Sequence, residues 1–116
     1  MQYISIDGDD VGRLITASYL DENESSLMQI SEGLKTSVES ISSLLIRNGF
    51  EVIFCAADGV LAKTSSKVDF IVLFDQIQEC STINVTFSAG VGDTLKSAYV
   101  ALIDAKSSGK NTIKVY

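Results

Sequence analysis

The sequence predicts an α+β fold in which one sheet is backed by helices. Three observations carry that expectation. Short β-rich runs and helical runs follow one another in the order β-α-ββ-α-β, with a further α-β at the end. A long amphipathic stretch, with Leu27, Ile30, Leu34, Val38, Ile41 and Leu45 three or four residues apart, separates the first strand from the next two. Between those two, Asp58-Gly59 stands flanked by short apolar runs, a strong local hairpin signal. With 116 residues and no repeat or linker, the chain is read as one domain over residues 1–116.

Taken in order, Tyr3-Ile4-Ser5-Ile6 alternates and is rich in β-formers, which predicts a strand ending at Asp7. Gly8-Asp9-Asp10 reads as a tight turn, and Val11, Leu14 and Ile15 open a short helix. The polar stretch 21–26 breaks it. The long helix that follows ends at Asn48-Gly49, a C-cap pair. Val52 to Ala56 and Val60 to Lys63 form the hairpin around the turn Ala57-Asp58-Gly59. Ser66 with Asp69 resembles a capping box. Beyond it, Phe70, Leu73, Phe74 and Ile77 fit one helical face, while Ile71 and Val72 leave a strand open. Ile83 to Gly90 alternates as a strand. Thr94 caps a helix that turns Ala98, Ala101, Leu102 and Ala105 to the sheet, Gly109 ends it, and Asn111 to Tyr116 supplies an edge strand.

Composition narrows the chemistry. The chain lacks histidine, which removes Ser-His-Asp and Cys-His nucleophile systems and histidine zinc sites. Cys55 and Cys80 lack metal-ligand spacing and are expected as small buried residues without a disulfide. A formal net charge of −6 argues against a nucleic-acid-coating surface, so no direct DNA binding is expected. No apolar run is long enough to span a bilayer and no basic-then-apolar leader opens the sequence, so a cytoplasmic protein is expected.

What remains is carboxylates, lysines and borrowed metal ions. Asp7 at the end of the first strand and Asp58 at the hairpin tip can converge on one or two Mg²⁺ or Mn²⁺ ions, which take a few hard oxygen ligands and complete their shell with phosphate and water. Gly8, without a side chain, lets a backbone carbonyl reach the metal. The amides of Asp10, Val11 and Gly12 can face phosphate oxygens at the start of the helix. The side chains of Asp9 and Asp10 are read first as N-caps. Taken singly, each of these features has an ordinary structural reading; Lys106, for one, would complement a helix dipole.

Their joint arrangement resembles a known family. Ser5-Ile6-Asp7-Gly8-Asp9-Asp10-Val11-Gly12 resembles the first metal motif of the palm domains in the large polymerase subunit of type III CRISPR complexes. Phe54-Cys55-Ala56-Ala57-Asp58-Gly59 sits where that family and the GGDEF diguanylate cyclases carry a Gly-Gly-Asp hairpin. Phe87-Ser88-Ala89-Gly90-Val91-Gly92 resembles the Ser-x-Gly-Val strand of GGDEF domains, and Ala101 to Asn111 resembles their closing Ala-Leu-x-x-Ala-Lys-x-x-Gly-(Lys/Arg)-Asn stretch. A palm of this length is most similar to the minimal CRISPR polymerases.

The resemblance implies a ferredoxin-like palm, related to GGDEF nucleotide cyclases, that makes a cyclic dinucleotide of the cyclic di-AMP type from ATP in anti-phage signalling. A separate, membrane-bound effector would read the product. It implies Asp7 and Asp58 as catalytic acids, with Asp7, Gly8 and Asp58 on the metal. Nucleotide contacts fall to Asp9, Asp10, Val11, Gly12 and Ala57, with Lys106 and Lys110 on the triphosphate. Two nucleotides must meet, so a homodimer is expected. The hairpin departs from the pattern: alanines replace both glycines, and Gly59 replaces the second acid, as in adenylyl cyclases that manage with one. A palm that binds nucleotide without turnover, acting as a sensor, is the alternative reading. A hydrolytic palm of the archaeal GTP cyclohydrolase kind is disfavoured by length.

Overall fold

The computed structural model describes residues 1–116. Its elements run β1 (Gln2–Gly8), α1 (Val11–Leu20), α2 (Glu24–Arg47), β2 (Glu51–Ala56), β3 (Gly59–Thr64), α3 (Phe70–Glu79), β4 (Phe87–Gly92), α4 (Leu95–Ser107) and β5 (Ile113–Val115). The five strands form one sheet in the order β2-β3-β1-β4-β5. All neighbours are antiparallel except β4 and β5, which run parallel. This is the α+β architecture that the sequence predicts.

Strand alternation divides the sheet into two faces. Ile4 and Ile6 pair across from Ala62 and Val60 on one side and from Val91 and Ala89 on the other. These residues point to α2 and α3, where they form the main core with Val38, Ile41, Leu45, Leu73, Phe74 and Ile77. On the opposite face α4 lies on β4, and its Ala98, Ala101 and Ala105 are fully buried. The approach is close because β4 offers Gly90 there: a Cβ on Gly90 would stand 2.1 Å from the Leu102 amide nitrogen and 2.4 Å from the Ala98 carbonyl oxygen. The capping box at the start of α4 pairs Thr94 with Ser97, as the Thr94 expectation anticipates.

Several local expectations give way. The segment predicted as a strand from Ile83 is not one until Phe87. Ser81 Oγ donates to the carbonyls of Ile83 (2.8 Å) and Val85 (2.7 Å), and the Thr82 amide donates to Ser37 Oγ on α2 (2.9 Å). Side chains thus satisfy this backbone, and the alternating Ile83 and Val85 pack on α1 and α2 in a second small core with Val11 and Leu34. The ambiguous segment after Asp69 is helix α3. Its cap is Asp69 itself, whose Oδ1 accepts from the Ile71 and Val72 amides, while the Ser66 amide donates to Thr64 Oγ1; the Ser66–Asp69 capping box does not form. Cys55 is exposed on the edge strand β2 and Cys80 is half-buried, so neither is the buried residue expected, and both thiols are free.

Candidate active site

The sheet order places β1 in the middle, with β3 on one side and β4 on the other, so the end of β1 is held from both sides. The Gly8 amide donates to the Asp58 carbonyl in the hairpin turn (3.0 Å), and the Asp9 amide donates to the Thr86 carbonyl ahead of β4 (2.9 Å). The first of these bonds holds the hairpin turn against the end of β1, so that Asp58 faces Asp7. Burial pushes the Asp58 carboxyl above the ordinary carboxylate range, and the facing charge of Asp7 adds to the shift. A buried carboxyl whose ionisation a neighbouring carboxylate opposes forms a site that a cation relieves. Space is tight: a Cβ on Gly8 would lie 2.9 Å from Val11 Cγ2 and 3.3 Å from Asp58 Oδ2.

The donor set fits a hard divalent ion. No cluster of three or more acids, cysteines or histidines is present, so the protein offers two carboxylates and the Gly8 carbonyl. Mg²⁺ is commonly held by one or two carboxylates, with substrate phosphates and water filling the rest of its octahedron.

Lys106, in the last turn of α4, reaches this group. Its Nζ donates to the Gly8 carbonyl (2.8 Å) and to Asp9 Oδ1 (2.8 Å), and it lies 3.1 Å from Asp7 Oδ2. Burial would lower the Lys106 pKa, but the bonds to Asp9 and Asp7 outweigh it and raise the ammonium above its usual range. Lys110 does not join it. In the left-handed turn after α4 (φ +65°), Lys110 pairs instead with Asp10 at the mouth of the site.

The two aspartates after Gly8 do not act as N-caps. Asp10 occupies the cap position of α1, but its φ of +58° turns the carboxylate away from the helix amides and toward Lys110. Asp9 is only 5% exposed. Its carboxylate accepts from Ser88 Oγ and Lys106 Nζ at Oδ1, and from Thr86 Oγ1 and the Asn111 amide at Oδ2. Burial alone would raise its pKa, yet these bonds hold it below the usual range. With four donors on it, Asp9 is an internal ligand of the fold; the nucleotide contact expected for its side chain is withdrawn. The sequence motifs contain Ser88 and Asn111 but nothing that links them to Asp9.

Helix α1 begins beside this group, and the amides of Asp10, Val11 and Gly12 have no acceptor within the protein. From there a cleft of about 700 Å³ opens between α1, α2 and the hairpin. Val11, Ile15, Ile30, Leu34 and Val38 give it an apolar floor, and Ala57 and Asp58 close the end nearest the acids. Ser31, Lys35 and Glu39 stand at its exposed rim. None of these α2 residues carries a sequence signal beyond ordinary helical amphipathicity. A second groove, of about 390 Å³, lies across the sheet between α4 and β3, with Asp7 and Lys106 at one end and Phe54, Leu61, Tyr99 and Ile103 along it.

The family model of the minimal CRISPR polymerase domain matches residues 3–116. The chain belongs to that family. The match spans both the Asp7 motif and the Lys106 stretch, so the whole site lies within the minimal CRISPR polymerase domain. Solved structures give the same fold. The chain is similar to the diguanylate cyclase SiaD from Pseudomonas aeruginosa, determined with its activator SiaC, at TM-score 0.73 and 18% identity, over 99% of this chain and 49% of that one. It thus spans about half the length of SiaD. It is also similar to the GGDEF domain of PA1120 from the same organism (TM-score 0.73, 14% identity, 98% and 80% covered). A third similar structure is the coiled coil and GGDEF domain of DgcB from Caulobacter crescentus, in complex with c-di-GMP (TM-score 0.64, 11% identity, 99% and 69% covered). No curated protein matches the sequence. This minimal CRISPR polymerase domain therefore has the palm fold of the nucleotide cyclases, with its acids at the end of the central strand and on the adjacent hairpin.

Proposed function

We propose that the chain is a divalent-metal-dependent nucleotidyltransferase that joins and cyclises two nucleoside triphosphates, with ATP the substrate the family resemblance favours. The observation that carries this reading is the meeting of Asp7, Asp58 and the Gly8 carbonyl next to free α1 amides and an apolar cleft. In this arrangement the base lies on Ile15, Ile30, Leu34 and Val38, and the triphosphate turns to the amides of Asp10, Val11 and Gly12. A bound Mg²⁺ or Mn²⁺ would lower the pKa of the attacking hydroxyl and neutralise the leaving pyrophosphate. Asp7 and Asp58 hold their oxygens toward the reacting phosphate, and Lys106 and Lys110 supply positive charge to the phosphate tail. Lys110 reaches it by exchanging Asp10 for phosphate at the mouth of the site.

Cyclisation needs two nucleotides, each hydroxyl facing the other's α-phosphate, and one chain carries one acid pair. A second copy is proposed to complete the reaction. The groove beside Asp7 and Lys106, with Phe54, Tyr99 and Ile103 exposed, is the face proposed for it, because Asp7 and Lys106 line one end of that groove. The product is proposed to be a cyclic di-AMP type messenger in anti-phage signalling, read by a separate membrane effector.

The test is incubation with each nucleoside triphosphate and Mg²⁺ or Mn²⁺, with products identified by mass spectrometry. A cyclic dinucleotide from ATP is expected, abolished in Asp7→Ala and in Asp58→Ala. Intact ATP after incubation with folded protein overturns the turnover reading. One observation favours a second reading, nucleotide binding without turnover: Gly59 follows Asp58, so the hairpin carries a single acid. Micromolar binding by calorimetry with no product selects it.

A further inference from the structure

Asp9 differs from every other acid in the molecule: it is the only one buried, and it accepts from four separate places in the chain. The partner that matters for chemistry is Lys106. An ammonium has three protons to give, and this one has three close acceptors: Gly8 O, Asp9 Oδ1 and Asp7 Oδ2. Two of the three are the groups that the proposed function assigns to a divalent ion. A lysine that depended on Asp7 and Gly8 alone would compete with the ion for its ligands.

We propose that Asp9 is a positioning residue that anchors Lys106, so that Asp7 and the Gly8 carbonyl can serve a divalent ion while the ammonium stays beside the site. The inference rests on the metal assignment above but does not require turnover. Asp9 suits the task because Thr86, Ser88 and the Asn111 amide fix its carboxylate from behind. It cannot follow Lys106 outward, and it offsets the lysine's charge where Asp7 would otherwise have to. When Asp7 and Gly8 are engaged elsewhere, Asp9 remains as the one acceptor that keeps the ammonium in place, with two protons free for phosphate oxygens.

The experiment measures Mn²⁺ binding by electron paramagnetic resonance, without nucleotide, in folded wild type, Asp9→Asn, Lys106→Met and the double variant. Asp9→Asn is expected to weaken binding about tenfold or more, comparable to losing an outer partner around a metal site, because the unanchored ammonium then competes with the ion for Asp7 and Gly8. Removing Lys106 as well is expected to restore affinity to the wild-type level or above, because the unanchored ammonium no longer covers Asp7. A double variant that binds as weakly as Asp9→Asn, or more weakly, overturns the proposal and leaves Asp9 a purely structural residue. Unchanged Mn²⁺ affinity in Asp9→Asn overturns it as well. Should Asp9→Asn fail to fold, wild-type protein decides. Its Lys106 ammonium should give a slowly exchanging ¹⁵N signal that persists at saturating Mg²⁺; a signal like those of the exposed Lys67 and Lys96 overturns the anchor. Wild type that binds no Mn²⁺ refutes the metal assignment itself, a separate failure.

Discussion

Replacing Gly90 with alanine tests how the sheet places Lys106. Gly90 lies in mid-strand with its α-carbon facing α4, and its backbone is in ordinary extended territory, so the effect of a methyl group is steric. That methyl would meet backbone: the Leu102 amide nitrogen at 2.1 Å, the Ala98 carbonyl oxygen at 2.4 Å and the Ala101 carbonyl carbon at 2.6 Å. Ordinary contact begins at 3.4 Å, so α4 must retreat by about 1.3 Å. A helix cannot swing aside as a side chain does, and overpacking of this kind costs about 1–3 kcal/mol. For a domain of this size the corresponding fall in melting temperature is roughly 4–12 °C. The same displacement lifts Lys106, one turn along α4, away from the Gly8 carbonyl 2.8 Å away, so weaker nucleotide binding should accompany the lower melting point. Gly12→Ala is the matched control: its Cβ meets nothing within 4 Å and it lies in helix α1, where alanine should gain about 0.5–1 kcal/mol. Thermal melts followed by circular dichroism measure both. A Gly90→Ala protein that melts with the wild type refutes the close approach of α4 to β4.

The two acids Asp58 and Asp9 should respond to neutralisation in opposite ways. Burial, with Asp7 nearby, raises the Asp58 carboxyl above 3.8, so the stability it contributes is complete below that value and lost as pH rises through the folded pKa. Asp58→Asn should therefore melt higher than wild type at pH 7 and converge with it near pH 3. Asp9 is lowered on balance, so its stabilisation is present above 3.8 and lost as pH falls through the folded value; Asp9→Asn should melt lower at pH 7. Melting curves across pH check both signs. Ala57 turns the hairpin at φ +52°, a conformation that costs an L-residue about 1–2 kcal/mol, whereas glycine loses about 0.5–1 kcal/mol in chain entropy. Ala57→Gly should raise the melting point by a few degrees, and a drop would contradict the strained turn. Phe54→Asp should leave the melting point within about 2 °C, because the ring is 54% exposed, while sedimentation shows a monomer and product disappears; an active monomer removes the dimer face from the proposal.

Much of the fold was legible because it follows from short-range pattern. The helix α2 stripe and the Asp58-Gly59 hairpin announce themselves within a few residues, and Thr94 and Gly109 mark both ends of α4. What failed was pattern whose meaning is set elsewhere. Ile83 and Val85 alternate as a strand would, but Ser37 and Gly33 on α2 take the Thr82 hydrogen bonds, and Ile83 packs where Gly33 has no side chain. Cys55 is expected in the core because a free cysteine is usually buried; its exposure follows from β2 lying at the sheet edge, which local sequence does not state.

The candidate site divides along the same line. Asp7, Gly8 and Asp58 could be placed because strand end and turn tip are local positions. Asp9 could not, since its role depends on partners 77 to 102 residues away. Gly59 shows how distance also alters the meaning of a departure from pattern. In sequence it reads as a lost second acid. In the fold it pairs with Asp7, and a Cβ there would stand 3.3 Å from the Ile6 carbonyl and 3.7 Å from Asp7 Oδ1. An acidic side chain at that position would start beside the Asp7 carboxylate and add a third charge where the Asp7 charge already raises the cost of ionising Asp58. The glycine keeps that flank clear, and Lys106, neutralised from behind by Asp9, already sits on Asp7. A hairpin with one acid is thus consistent with the proposed ion site, where substrate phosphates would carry the burden of a second hairpin acid.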